Sequence, residues 1–391
     1  MSSYYDKLET RSADEREAAQ LGSLSDILSA QGRAPLKDLG GLSALQVLRK
    51  ADLSALQAQS PPFGGLSVHN LAHVFQSPGP IYEPGGISHD WWRMGRFLHA
   101  CAIGAGDIVQ NCFSYHLTPA GMIFENGARA VGATVLPAGI GQTELQARAA
   151  HDIGVNAYAG TPDYLKVILE KADEMGLALG ITRAAVGGGA LFPSLREYYR
   201  ARGISCLQCY ATADLGNIAY ESEAMEGMIV DEGVIVEIVT PGTGDPVPEG
   251  EVGEVVVTSL NPDYPLIRFS TGDLSAFMSG TSPCGRSNRR IRGWMGRADQ
   301  TTKIKGMFVR PEQVAALVAR HPEIARARII ASRSNEMDDM LVRVESGHDE
   351  IAGIETSVAE TLKLRGRVEI VPPGDLPRDG LVIEDQRNYD K

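Results

Sequence analysis

Basic residues are the minority charge in this chain of 391 residues: 37 Lys and Arg stand against 49 Asp and Glu, a formal net charge of −12. A surface of that sign repels polyanions, which argues against non-specific binding to nucleic acid or to an anionic membrane but leaves room for a local basic pocket. Cysteine is scarce too. Cys101, Cys112, Cys206, Cys209 and Cys284 are odd in number and scattered, too few for a disulfide framework and suited to a reducing cytosol. Long apolar runs are missing: the region VQNCFSYHLTPAGMIF is broken by Asn111, His116 and Pro119 and falls short of the roughly 18 to 20 residues that span a bilayer. The start, MSSYYDKLETRSADEREAAQ, is charged and helix-forming and lacks the apolar centre of a signal peptide, so a soluble, cytoplasmic protein is expected. With 43% hydrophobic and 22% charged residues the composition is that of a folded globular chain, and the length suggests two or three domains.

Residues 4–58 carry apolar positions near helical spacing and read as a helical arm. Between 60 and 90 proline and glycine accumulate, and loops are expected to dominate. From Trp91 to Pro193 helical segments alternate with short apolar runs (VGATVLPAG, GVNAYAG, RAAVGGGAL), the rhythm of a layered α/β fold with parallel strands. GVIVEIVTPGTGDPVPEGEVGEVVVTSL reads as two β-branched strands around a Gly/Pro turn, an antiparallel hairpin in a β subdomain. Beyond GWMGRADQTTKIKG the pattern becomes strand, helix opened by Pro311, two strands, a helix over 351–364 and a last strand, the size of a small α+β domain. The expected division is a large domain over 1–298 and a small one over 299–391.

Four stretches stand out in order: FQSPGPIYEPGG (75–86), CYATADLG (209–216), YPLIRFSTGDLS (264–275) and IRGWMGRADQTTKIKG (291–306). Together they resemble the adenylate-forming superfamily of acyl-CoA synthetases. YYDKLETRSADEREAA and PPFGG (61–65) make the phenylacetate-CoA ligase family the nearest likeness, over almost the whole chain. The resemblance implies a large ATP- and acid-binding α/β domain, a small mobile C-terminal domain, and a two-step reaction. AMP from ATP is first joined to a carboxylate, releasing pyrophosphate, and CoA then displaces AMP. ATP, Mg²⁺ and CoA are the implied cofactors, a small acid, aromatic or arylacetic, the implied substrate, and a homodimer is compatible with it. A ligase passing the acyl group to an amine or carrier thiol is the alternative within the class, and a catalytically weakened nucleotide- or acyl-CoA-binding homologue the alternative outside it.

Carried onto this sequence, the resemblance gives Asp273 the ribose hydroxyls, against the bland reading of a turn Asp after Gly272. Arg297 falls near ribose and phosphate. Asp214 stands where the family has Glu holding Mg²⁺, with Thr212 offering a hydroxyl to a phosphate or carboxylate oxygen. Tyr210 is assigned to the adenine and Ala211 to the cofactor site beside it, and the Gly187, Gly188, Gly189 loop to the adenine side, with Gly189 replacing a family Glu; Tyr210 reads equally as core. SPGPIYEP occupies the phosphate loop. Only Ser77 and Gly79 keep its character, since Pro78 and Pro80 have no N–H to donate, so a rigid variant and a weak relic are both open.

FSYHLTPAGMIFENG (113–127) matches the acyl-site stretch, with Phe113, Tyr115, Met122 and Phe124 as an apolar wall and His116 and Thr118 as polar groups, or it is simply core. Asp299 matches the hinge, and Lys305 and Gly306 the CoA-binding loop, which reads as well as a solvated basic loop. After DLPRDG, where the resemblance implies a catalytic lysine, this chain has Leu381, so either adenylation is slow or another cation such as Arg378 or Lys391 substitutes. Cys206-x-x-Cys209 without a second pair does not make a zinc site, and no metal other than Mg²⁺ is expected.

Overall fold

The computed structural model describes residues 3–77, 80–189, 191–300, 302–305, 307–334, 337–377 and 381–387. It contains two compact units, Met1–Thr271 with Ala276–Gly293, and Gly272–Ser275 with Trp294–Lys391.

In the first unit, five short strands run parallel in the spatial order Ser205–Thr212, Arg183–Val186, Ala157–Gly160, Ile108–Asn111, Thr134–Leu136. Strands such as AYAG are buried at every position because helices cover both faces of a parallel sheet. Helices Pro162–Glu174 and Pro193–Ala201 open on proline, whose missing N–H is one the first helical turn does not use. Antiparallel strands Gly216–Tyr220, Met228–Val230, Arg290–Ile291 and Phe277–Met278 extend the sheet to nine. A second sheet holds the expected hairpin, Val234–Val239 against Gly253–Ser259, beside Phe269–Ser275 and the two-residue strand Leu48–Arg49.

Most of residues 60–90 is loop, as expected, but Leu71–Ser77 and Ile81–Gly86 within it pair antiparallel, a ribbon that was not expected. Gly85, which reads as a turn signal, is there for close packing, since a Cβ on it would lie 2.7 Å from the Phe75 ring and 3.0 Å from Trp92. The expectation of a helical arm over 4–58 is corrected, since it is helical only in part. Its α-helices are Ala13–Ala30, started by a Ser12/Glu15 capping box, and Lys50–Gln59, its short 3-10 helices are Lys7–Thr10 and Leu39–Ala44, and Leu48–Arg49 pairs parallel to Phe269–Ser270.

The arm is held by buried charge. Glu9 accepts from Arg286 Nε at 2.6 Å, from the Tyr220 hydroxyl at 2.7 Å and from the Tyr5 N–H at 2.6 Å. The Glu9 and Arg286 side chains are each 1% exposed. Glu9→Ala removes the buried counter-charge of Arg286 and leaves it, among the described residues, only the exposed Glu223 at 3.6 Å; breaking such a buried pair costs about 3–5 kcal/mol. The urea midpoint is expected to fall accordingly; an unchanged midpoint would show that the arm contributes nothing to stability.

In the second unit, Ile324–Ser334 pairs antiparallel with Met337–Ser346, and Arg367–Val371 and Ile383–Asp385 add parallel strands on either side. Helices Pro311–Arg320 and Ile354–Leu362 pack there around a core that includes Val314, Leu317, Val342 and Val358. No described helix is long and apolar enough to cross a membrane.

Candidate active site

Asp214 lies in the turn between Ser205–Thr212 and Gly216–Tyr220, where the Leu215 N–H donates to Thr212 Oγ1 at 3.2 Å. Its side chain is fully buried, and the Lys50 ammonium approaches Oδ2 to 2.5 Å. The second oxygen, Oδ1, is buried with no hydrogen-bond partner. Lys50 is brought there from far away in sequence, because the pairing of Leu48–Arg49 with Phe269–Ser270 fixes where the following helix begins.

On the hairpin, the Ser77 hydroxyl donates to Glu83 Oε1, while Glu83 Oε2 is buried and unpartnered. Burial pushes the Glu83 carboxyl up to about 7. The Ser77 hydrogen bond opposes this, the Asp214 charge adds to it and Lys50 subtracts. Tyr264, whose hydroxyl is also buried and unpartnered, is raised mainly by burial and then by the charges of Asp214 and Glu83.

Mg²⁺ usually binds one or two carboxylates together with substrate phosphates and water. Asp214 Oδ1 and Glu83 Oε2 are two such oxygens lacking partners, so this donor set fits a hard divalent cation. Among the described residues no group of three or more His, Cys, Asp or Glu is placed to hold a metal, and all five cysteines are free.

The raised Glu83 pKa has a consequence for folding. From the ordinary carboxylate value to about 7 the folded chain keeps a proton that the unfolded chain releases. Stability contributed by this group is therefore greatest below the unfolded value and falls as pH rises to about 7, by up to about 3 kcal/mol. Glu83→Gln should flatten that part of the stability–pH curve and raise the urea midpoint at pH 8. An unaltered slope would place the titration elsewhere.

Tyr210 is buried, and its hydroxyl donates to Thr271 Oγ1 at 3.0 Å. Ala211 is partly buried against the same core. Gly187 is buried, and Gly188 and Gly189 are exposed after strand Arg183–Val186. Phe113 stacks on Phe124, and Met122 packs on this core. The Tyr115 hydroxyl accepts from Asn111 Nδ2 at 2.8 Å. His116 is exposed and Thr118 half-buried.

In the second unit Asp273 is not a turn residue. It sits within strand Phe269–Ser275, and its Oδ1 accepts from Arg297 Nη1 at 3.2 Å and Trp294 Nε1 at 3.1 Å. The backbones of Asp273 and Arg297 also bridge. Asp299 lies in the short turn Ala298–Gln300. Lys305 is exposed, and its N–H donates to Asp338 Oδ2 at 2.9 Å. Gly79 and Gly306, together with Arg378 and Lys391, lie outside the described residues. Leu381 is 40% exposed.

Lys50, Glu83 and Trp294 escaped the sequence reading. Glu83 was visible as a carboxylate inside a phosphate-loop stretch, and Trp294 as an aromatic beside GRAD; Lys50 carried no local signal.

No family model matches the chain. A phenylacetate-coenzyme A ligase of Aromatoleum evansii is 30% identical over 329 residues, 79% of this chain and 73% of that protein. One from Thermus thermophilus is 27% identical over 359 residues, 81% of each. Among solved structures, the open conformation of 2-hydroxyisobutyryl-CoA ligase in complex with 2-HIB-AMP and CoA matches with a TM-score of 0.82 at 25% identity, covering 98% of this chain and 95% of that one. Fold and relatives together define an AMP-forming acid-CoA ligase. Within that class, the chain belongs to the phenylacetate-CoA ligase family.

Proposed function

We propose that the chain adenylates a carboxylic acid with ATP and transfers the acyl group to CoA. The observation that carries this is the pairing of Lys50 with the buried Asp214, whose second carboxylate oxygen is unpartnered and whose charge acts on Glu83. A carboxylate is a poor electrophile. Its oxygen attacks the α-phosphorus of ATP, the bond to pyrophosphate breaks, and a thiolate then attacks the acyl carbon while AMP leaves. Charge accumulates on phosphate oxygens in the first step, and preorganised cations lower that barrier.

Lys50 turns from Asp214 to the α-phosphate when ATP is bound, supplying the cation that Leu381 does not. Asp214 and Glu83 would hold Mg²⁺, which when bound neutralises the phosphates. Ser77 holds the Glu83 carboxylate in place, and Thr212 offers a hydroxyl to phosphate or acid oxygen. Tyr210 and Ala211 with Gly187 to Gly189 take the adenine, and Asp273 and Arg297 the ribose side. In the expected division these residues belong to the large domain over 1–298, although Asp273 and Arg297 group with the second compact unit. In the small domain over 299–391, Asp299 serves as hinge and Lys305 and Gly306 meet CoA. The acid lies along Phe113, Tyr115, His116, Thr118 and Met122. The phenylacetate relatives support an aryl acid there, and the 2-hydroxyisobutyryl-CoA ligase a short aliphatic one.

The test is to trap the first product. Incubation with ATP, Mg²⁺, acid and hydroxylamine should give AMP and the acyl hydroxamate, and CoA in place of hydroxylamine should give acyl-CoA. Formation of ADP would overturn the reading, and AMP formation that advances only with amines or carrier thiols would transfer it to those acceptors.

A further inference from the structure

The loop Gly187–Gly189 and helix Ala120–Ala130 meet through two aromatic rings. Phe113 and Phe124 have centroids 4.2 Å apart at an interplanar angle of 26°, a stacked contact with no space for a third ring between them. Both are buried, at 7% and 4% exposure. The glycine backbone rests on the same pair: a Cβ on Gly187 would stand 3.5 Å from Phe124 Cζ and 3.0 Å from Cys209 Sγ, and one on Gly188 would stand 3.6 Å from Phe113 Cε1. The two ring distances are ordinary contact distances, so the rings lie directly against the Gly187–Gly188 backbone.

Phe124 has nowhere to retreat. Phe97 meets it edge-on with centroids 6.4 Å apart. Behind it the helix is seated tightly, since a Cβ on Gly127 would fall 2.3 Å from Met94 Cβ. In an interior packed at crystal density, a ring held from the loop, from its stacking partner and from the helix behind does not move aside for a substrate ring.

We infer that Phe124, braced by Phe113, restricts the acyl site to short aliphatic acids and excludes aryl and arylacetic acids. The inference rests on the ligase reading and decides its substrate class against the aromatic expectation drawn from the sequence. Removing the Phe124 ring leaves an apolar space of about one ring, and such cavities accept aromatic molecules. Discrimination by fit in an apolar pocket is worth roughly 10 to 200-fold per methylene, so a whole ring is decisive.

The experiment measures kcat/KM for acid-dependent pyrophosphate release with propionate, isobutyrate and phenylacetate, in the wild type, Phe124→Ala and the milder Phe124→Leu. The wild type is expected to favour isobutyrate or propionate over phenylacetate by at least tenfold. Either variant should raise the phenylacetate-to-isobutyrate ratio at least tenfold. Preferential use of phenylacetate by the wild type, or a ratio unmoved in both folded variants, overturns the inference and leaves the ligase reading intact. Pyrophosphate release with no acid in any of the three proteins brings down the ligase reading, and this inference with it.

Discussion

Lys50→Ala lowers acid-dependent pyrophosphate release by about 10²–10³-fold, the usual cost of removing one well-placed electrostatic donor. The ammonium is 2.5 Å from a carboxylate whose side chain is fully buried, while Lys50 itself keeps 30% of its side-chain surface open to solvent. It is therefore both fixed and reachable. The same substitution leaves Asp214 buried without its cation, a loss that destabilises the fold as well as the reaction. The two effects separate experimentally. Urea unfolding reads the structural part, and conversion of synthetic acyl adenylate to acyl-CoA reads the second half-reaction, in which the α-phosphorus is not attacked and AMP takes up the charge as it leaves. A stable variant that keeps the second half-reaction and loses the first is the expected result. Equal loss in both halves would make Lys50 a structural residue only.

Asp273→Ala weakens ATP binding by about two to four orders of magnitude, because hydrogen bonds from two ribose hydroxyls to a charged acceptor are worth roughly 1.5–3 kcal/mol each. Asp273 also accepts from Trp294 and Arg297, so a loss of affinity alone would not separate a ribose contact from local collapse. The diagnostic is 2′-deoxy-ATP. The wild type should bind it more weakly than ATP, and the variant should bind the two alike. A variant that still discriminates against the deoxy nucleotide would remove Asp273 from the ribose site.

Much of the α/β layering was legible because short apolar runs such as AYAG and RAAV alternate with helical segments, and a parallel sheet buried on both faces needs that composition. The hairpin over Val234–Ser259 was legible from its β-branched residues. The ribbon over Leu71–Gly86 was not, since a packing glycine such as Gly85 cannot be told locally from a turn glycine; only the Phe75 and Trp92 rings against it show the difference. The candidate site divides in the same way. Asp214 and Asp273 announce themselves as carboxylates in recurrent short motifs. Lys50 is placed by a register between strands more than two hundred residues apart, and no window of sequence contains that information. Glu83 was in view, but its chemistry comes from burial beside Asp214 and Lys50, which is a property of the fold.

Pyrophosphate release from ATP and Mg²⁺, measured with each of a panel of short aliphatic and aryl acids and repeated with CoA, tests the central claim most directly. Release that requires an acid, accompanied by AMP and by an acyl-CoA of the corresponding mass once CoA is added, is the predicted result. ATP binding without acid-dependent release from any member of the panel would contradict it and favour a nucleotide-binding homologue that has lost the ligase reaction.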